Sequence, residues 1–528
     1  MGLSPAAHQL RLSAAHDSRN AAVTRAERAA KGYFISVLQL VLYMALQAIA
    51  APVVLRLAGV HTLGAYAAIM QVVTYFTLFQ VAFSATLARY LAQQHGLADG
   101  EDRFAAIFTT GRTCVLIGSA VLAVATLLIS APFVSLLQLP AALAGQARLS
   151  LFALAAWLVV RTPIASYDNA LIATQNLATA QMITGFQNIS RVLGSLLAVL
   201  LGFGLFGMVV AAIAADLATG SLNRYFFLRA YPGRMPGWGF PDSALLGAMA
   251  RFALHAFLIQ IAAMLTFSSN LMIAGYVMGA VGASLVYTNQ LPATIAQGLI
   301  LKLADNVGPA VNELHARGEG GAVRRTFLRV HRLTLNLSLP LAAGILLLNR
   351  SLVSLWVGPK LDGGELMAAA LAALTIVLSV EHVDVVFAMA LGLEKTVMRF
   401  ALAEAVLAVV LSCVLGRLWG VGGIPAGVAL AIVPKTAYLT AVLSARLGAS
   451  WAQYFRECLL PAAAASSTAL AAAAFLVRVW GAHTWATAAA CATLFCAVYG
   501  ALAYAICLRP DEQLRMRRYL RLSLHQES

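Results

Sequence analysis

Charged side chains are scarce in this chain: 36 Lys+Arg and 21 Asp+Glu among 528 residues, or 11%. Soluble domains carry about 25%. Hydrophobic residues reach 61% and the mean hydropathy is +0.82. A soluble fold of this length needs several domains and far more polar surface. Motif chemistry is missing as well: there is no P-loop, no His-Glu-x-x-His, no Gly-x-Ser-x-Gly and no strand–Gly-rich–helix unit. That excludes the common soluble-enzyme classes and self-contained ATP-driven pumping, and it implies no cofactor. The six cysteines form no Cys-x-x-Cys pair and fall mostly in apolar runs, so they read as small buried hydrophobes. No basic segment is long enough for a nucleic-acid-binding face, despite a net charge of +15. What remains is an all-α polytopic membrane protein.

A spanning helix needs about 20 apolar residues. That ruler gives fourteen expected spans: 33–57, 64–92, 105–130, 148–172, 179–203, 207–229, 249–276, 279–305, 327–349, 366–392, 397–418, 420–446, 458–479 and 485–508. Placing both termini in the cytoplasm leaves six of the 36 basic residues outside: Arg56, Arg148, Arg350, Lys360, Arg417 and Arg478. Arg161 and Arg191 fall near mid-membrane, and the rest lie inside, as cytoplasmic loops require. The expected organisation is then a basic cytoplasmic tail (1–31), an N-terminal six-helix lobe (32–230) and a Pro/Gly-rich cytoplasmic linker (231–248). A C-terminal six-helix lobe (249–446), two additional helices (447–508) and a second basic cytoplasmic tail (509–528) follow.

A weak internal repeat supports two lobes. Gln71 and Gln290, His95 and His315, Arg112 and Arg332, and Asp168 and Asp384 recur at offsets of 216–220, as do Gly204-x-x-Gly207 and Gly420-x-x-Gly423. An even number of spans separates the copies, so both face the same way. The expectation is a parallel pseudo-two-fold repeat about the membrane normal.

Ionisable residues inside the spans are costly unless they face a partner or a wet cavity. The fourth span carries Arg161 and Asp168 on one face, and the fifth carries Thr184, Gln187, Asn188, Arg191 and Ser195 at helical spacing. Arg161 and Arg191 at similar depth form a candidate anion site; the competing reading pairs Arg161 with Asp168 as internal glue and bonds Arg191 to carbonyls. Asp216, Thr219 and Asn223 share a face of the sixth span, Arg251 and His255 lie near the inner end of the seventh, and Gln290 and Lys302 lie on the eighth. Glu381, Asp384 and Glu404 form an acidic set, and Lys435 is the deepest basic candidate of the second lobe. The candidate substrate-binding residues are therefore Arg161, Arg191, Arg251, His255, Lys302, Lys435, Gln187, Asn188 and Gln290. Candidate ion-coupling residues are Asp168, Asp216, Glu381, Asp384 and Glu404, as neighbouring carboxylates suit proton exchange. The competing reading of the acidic set is charge balance with Lys395 and Arg399. Glu381, His382 and Asp384 sit in one short cluster on one helix, and divalent sites need three or four converging ligands, so no metal is assigned.

These features resemble the Wzx-type polysaccharide flippases, within the superfamily of the MATE exporters and lipid II flippases. The carrying stretches are Leu55-Arg-Leu-Ala-Gly-Val-His-Thr-Leu-Gly-Ala-Tyr66, Ser84-Ala-Thr-Leu-Ala-Arg-Tyr90, Gly204-Leu-Phe-Gly207 and Gly420-Val-Gly-Gly423. The resemblance spans roughly 30–508 and is a diffuse pattern of spans and glycines. It implies two six-helix lobes, alternating access, and a polyprenyl-diphosphate-linked glycan moved to the periplasmic leaflet of a bacterial inner membrane. Membrane lipids and the polysaccharide polymerase machinery are the implied partners, and the protein is not itself an enzyme. Alternatives are a lipid II-type flippase and a cation-coupled multidrug exporter. The exporters commonly carry an acidic residue in the first span, and none occurs here. A membrane-embedded glycosyltransferase or polymerase is the alternative of another class, and it would need a sizeable outside loop.

Overall fold

Long apolar runs interrupted by glycine and proline dictate long helices with abrupt breaks. The computed structural model describes residues 42–75, 101–173, 177–231, 261–266, 268–509 and 512–513, with single positions at 39, 87, 91 and within 239–258. Among them, eleven helices are long and apolar enough to cross a membrane, and no strand occurs. In chain order the helices are α1 (Leu42–Tyr75), α2 (Glu101–Leu136), α3 (Ala141–Ala173), α4 (Leu177–Leu200) and α5 (Gly204–Ala230). Then come α6 (Asn270–Ala316), α7 (Gly320–Val357), α8 (Gly364–Ala390), α9 (Glu394–Trp419), α10 (Gly423–Leu447), α11 (Trp451–Trp480) and α12 (Trp485–Cys507). The candidate span Glu394–Leu447 comprises α9 and α10, separated by a 3-10 turn at Gly420–Gly422. Parts of the expected second and seventh spans, and both expected tails almost entirely, lie outside the described residues.

The expected breaks coincide with backbone that only glycine adopts readily. Gly59, at φ +83, interrupts α1 between the first two expected spans, and Gly279, at φ +68, interrupts α6 between the seventh and eighth. These two positions are 220 apart. The same offset separates Gln138 (φ +50) from Gly358 (φ +101), and 216 separates Gly204 (φ +59) from Gly420 (φ +70). Side-chain bonding repeats too. Ser195 Oγ on α4 donates to the Met208 carbonyl of α5 at 3.2 Å, and Ser412 Oγ on α9 donates to the Ile424 carbonyl of α10 at 2.9 Å.

Contacts divide the chain into two units that are not consecutive in sequence. The first comprises Met1–Val53, Phe83–Leu128 and Ser150–Ala253; the second comprises Val54–Ala82, Ile129–Leu149 and Leu254–Ser528. The lobes expected at 32–230 and 249–446 therefore differ from these units by the segments 54–82, 129–149 and 249–253. The reason is close backbone packing just past the Gly279 kink of α6. Ser284 Oγ donates to the Val60 carbonyl at 2.7 Å, and Ala280 N–H donates to the Leu137 carbonyl at 2.9 Å. A Cβ on Gly64 would lie 1.8 Å from the Ala280 carbonyl oxygen, so α1 reaches α6 only because residue 64 has no side chain.

The first unit has a core of Phe104, Ile107, Phe108, Tyr167, Leu171 and Phe227, with Phe104 and Phe227 stacked at 6.4 Å. In the second unit, Val311, Phe327, Phe387, Leu439, Leu443 and Tyr454 join α6, α7, α8, α10 and α11. Within it α9 and α10 cross closely: a Cβ on Gly427 would lie 2.4 Å from Ser412 N. The helices α11 and α12 expose Phe475, Val479, Trp480 and Trp485, the apolar surface expected of helices flanking a bundle in lipid.

Candidate functional site

Among the described residues, each unit holds a buried cluster in which one base meets two carboxylates within the apolar helices. In the first unit, α3 turns Trp157, Arg161 and Asp168 toward one face through spacings of four and seven residues. Asp216 on α5 receives three donors. Trp157 Nε1 donates to its Oδ2 at 2.8 Å, Arg161 Nε to the same oxygen at 2.5 Å, and Gln187 of α4 to its Oδ1. Arg161 Nη2 also lies 3.7 Å from Asp168 Oδ2, and Asn223 Nδ2 donates to Asp168 Oδ1 at 2.7 Å. One guanidinium thus serves two carboxylates, with a side-chain exposure of 15%. Arg191, one turn beyond Gln187, donates to the Tyr43 hydroxyl at 3.1 Å and lies over its ring. Asn188 is half-buried on the same helix.

The second cluster is more deeply buried. Lys435, following Pro434 on α10, pairs with Glu381 of α8 and lies 2.9 Å from Glu404 Oε2 of α9. All three side chains are 7% exposed or less. Glu381 Oε2 has no hydrogen-bond partner among the described residues. One turn along α8, Asp384 accepts from Thr440 of α10 and lies 3.1 Å from His331 Nε2 of α7. His331 Nδ1 is 3.1 Å from its own i−4 carbonyl at Phe327. Both Asp384 and His331 are fully enclosed.

The structure brings Arg161, Asp168, Asp216 and Gln187 into one network, and Lys435, Glu381 and Glu404 into another. Arg161 is engaged by Asp168, as the competing reading held, and by Asp216 more closely. Lys435 is the base that the acidic set meets, in the place expected of Lys395 and Arg399. Gln290 is half-buried on α6, while Gln297 two turns on donates to Thr375 of α8 at 2.8 Å. Arg251 and His255 lie outside the described residues, as does the Lys302 side chain. Sequence reasoning missed Trp157, His331 and Thr440. Trp157 could have been found from its position one turn before Arg161. Thr440 lies within one residue of the repeat-equivalent of Asn223, so each repeated Asp takes its donor from the helix two further along. His331 carries no local signal, because its partner is 53 residues away.

No protein-family profile and no curated protein sequence matches the chain. Solved structures do. The lipid II flippase MurJ in an inward closed conformation aligns with a TM-score of 0.70 and 12% identity, over 89% of this chain and 98% of that one. An inward-facing multidrug resistance MATE family transporter of the MOP superfamily gives 0.63 and 14%, over 79% of this chain and 99% of that one. A MOP-superfamily transporter from Pyrococcus furiosus gives 0.55 and 13%, over 79% and 96%. At such identities the likeness is one of fold alone.

Proposed function

We propose that this chain is a flippase that moves a polyprenyl-diphosphate-linked oligosaccharide from the cytoplasmic to the periplasmic leaflet by alternating access. The observation that carries this reading is the reach of the fold match. The multidrug transporter covers no larger share of this chain than the twelve helices expected at 32–446 occupy. The flippase likeness extends beyond that share. The polar rows inside α3, α4 and α5 support the substrate class: guanidinium groups bind phosphate oxygens in a fork, and amides suit sugar hydroxyls. Arg191, Gln187 and Asn188 are the side chains assigned to the diphosphate and the first sugar. Arg161 is assigned to hold Asp168 and Asp216 beside them.

The second cluster supports cation coupling. Lys435 balances one of the charges on Glu381 and Glu404, leaving one negative charge, and a buried carboxylate oxygen without a donor invites a proton or small cation. Uptake of that cation favours one arrangement of the helices over another, which is the requirement for antiport. The same carboxylates support a cation-coupled exporter of small molecules as the second reading.

Deletion of the gene in its host separates the two. Accumulation of lipid-linked oligosaccharide on the inner leaflet, reversed by the wild-type chain, is the expected result. Normal glycan export with heightened drug sensitivity would instead establish the exporter and overturn the flippase.

A further inference from the structure

A separate set of arginines lines a cavity in the second unit, near the start of α7. A cavity of about 680 Å³ is lined by Arg324, Arg325, Arg329, Arg332, Arg509, Gln453, Glu457 and Glu512, with Gly321 of the first α7 turn at its wall. Five arginines and two glutamates give a formal charge of +3. The glutamates act on only part of that set. Arg332 Nη2 donates to Glu512 Oε1 at 2.6 Å and Arg509 pairs with Glu457, while Arg324 Nη2 donates to the neutral amide oxygen of Gln453 at 2.6 Å. Arg329 Nε stands 3.7 Å from Glu512 and is itself 63% exposed. Arg325 is exposed on the same wall. Arg325 and Arg329 therefore present the exposed guanidinium groups of the lining, with Arg329 only loosely held by Glu512.

We propose that this cavity binds the phosphate of an anionic phospholipid headgroup. Guanidinium forks match phosphate oxygens bidentately, and the first turn of a 38-residue helix adds its positive end. Exposed apolar residues next to the cavity in sequence name the source as lipid. Trp451 and Phe455, two residues either side of Gln453 and so on another face of α11, are 56% and 50% exposed, and Leu460 and Ile506 are exposed three residues from Glu457 and Arg509. An exposed tryptophan beside a basic pocket at a helix end is the arrangement of a membrane–water boundary. Acyl chains would lie along the apolar rows of α11 and α12 while the headgroup fills the cavity. The loop into α7 is expected on the cytoplasmic side, so the lipid belongs to the inner leaflet. The site holds its lipid in place, independent of which substrate is transported.

The test uses the full chain purified in a neutral detergent, with phosphatidylglycerol, phosphatidylcholine or inorganic phosphate added at equal concentration. Retained lipid is counted by native mass spectrometry, and melting is followed in parallel. Phosphatidylglycerol is expected to be retained and to raise the melting temperature; phosphatidylcholine is not. Arg325→Gln/Arg329→Gln, which alters two exposed side chains, should melt normally without lipid and bind phosphatidylglycerol roughly 30-fold more weakly. Equal retention of the two lipids by the wild type would overturn the proposal. So would undiminished phosphatidylglycerol binding by the double variant, or by Arg325→Gln and Arg329→Gln each alone should the double variant not fold. A full melting shift with inorganic phosphate, with nothing added by phosphatidylglycerol, would make the ligand a free anion and overturn the lipid assignment.

Discussion

Removing the Arg161 side chain tests whether this residue is structural or binds substrate directly. Arg161 and Asp216 are 15% and 11% exposed, and Asp168 shares the same guanidinium. Arg161→Met leaves two carboxylates facing each other among apolar helices. Breaking a buried pair from one side costs about 3–5 kcal/mol, because the remaining charge loses its compensation. Unfolding entropy near 60 °C is about 2.1 cal/mol/K per residue. For the 528 residues melting together, 4 kcal/mol corresponds to a fall of roughly 4 °C, and to more than twice that if the first unit opens alone. Arg161→Met/Asp216→Asn restores the net charge of the cluster and should recover most of the loss. Melting of the detergent-purified variants, followed by the fraction remaining monodisperse after heating, is the assay. If Arg161→Met melts within about 1 °C of wild type, or the double variant melts no higher than the single one, the ion-pair reasoning fails.

Three further outcomes are expected. Under the proposed function, Arg191→Ala should reduce glycan export several-fold at equal protein abundance, with Lys restoring only part, because an ammonium lacks the planar fork; full export by Arg191→Ala would remove it from the substrate site. Thr440→Val takes a hydroxyl donor from the enclosed Asp384 and should destabilise by about 1.5–3 kcal/mol, the range for a bond to a charged group; an unchanged melting curve would contradict that bond. Gly64→Ala places a methyl group against the Ala280 carbonyl, so chemical crosslinking of Val60→Cys to Ser284→Cys should fall sharply against the glycine background, and equal crosslinking would show that the close approach is absent.

Much of the fold was legible because membrane spans are written in long local runs. The expected breaks near residues 59, 204, 279 and 420 coincide with glycines of positive φ, since a single residue type marks a reversal that other residues resist. The units were not legible. Nothing local in Val60 or Leu137 announces that their carbonyls bond to Ser284 and Ala280, and the contact depends on shape at Gly64 rather than on pattern. Within the clusters, helical spacing placed Arg161 and Asp168 on one face but could not rank Asp216 above Asp168 as the nearer partner. That choice is made by the packing of α3 against α5. Lys435 and Glu404 were each visible as buried charges, yet their pairing depends on α9 and α10 crossing at Gly427, which brings the two backbones close.

The two units reach the same charge composition from different positions. Arg161 faces two carboxylates, Asp168 and Asp216; Lys435 faces two carboxylates, Glu381 and Glu404. Of these residues only Asp168 finds an acidic counterpart at the 216 offset, in Asp384. At that offset Arg161 corresponds to Val377, Asp216 to Ile432 and Lys435 to Thr219. The backbone turns and the serine bonds recur by position, so they belong to the shared frame. The charges do not recur at 216, although at 219 and 220 Asp216 falls on Lys435 and Arg161 on Glu381, with the signs exchanged. A buried ion pair is weak support for stability, and apolar packing of similar volume commonly serves as well or better. Helix cohesion alone therefore gives no reason for one cation and two carboxylates to arise in both units. Under the function proposed above, neutralising one negative charge with a bound cation during the change of shape supplies one, and in that proposal the acidic residues serve coupling and Arg191 the substrate.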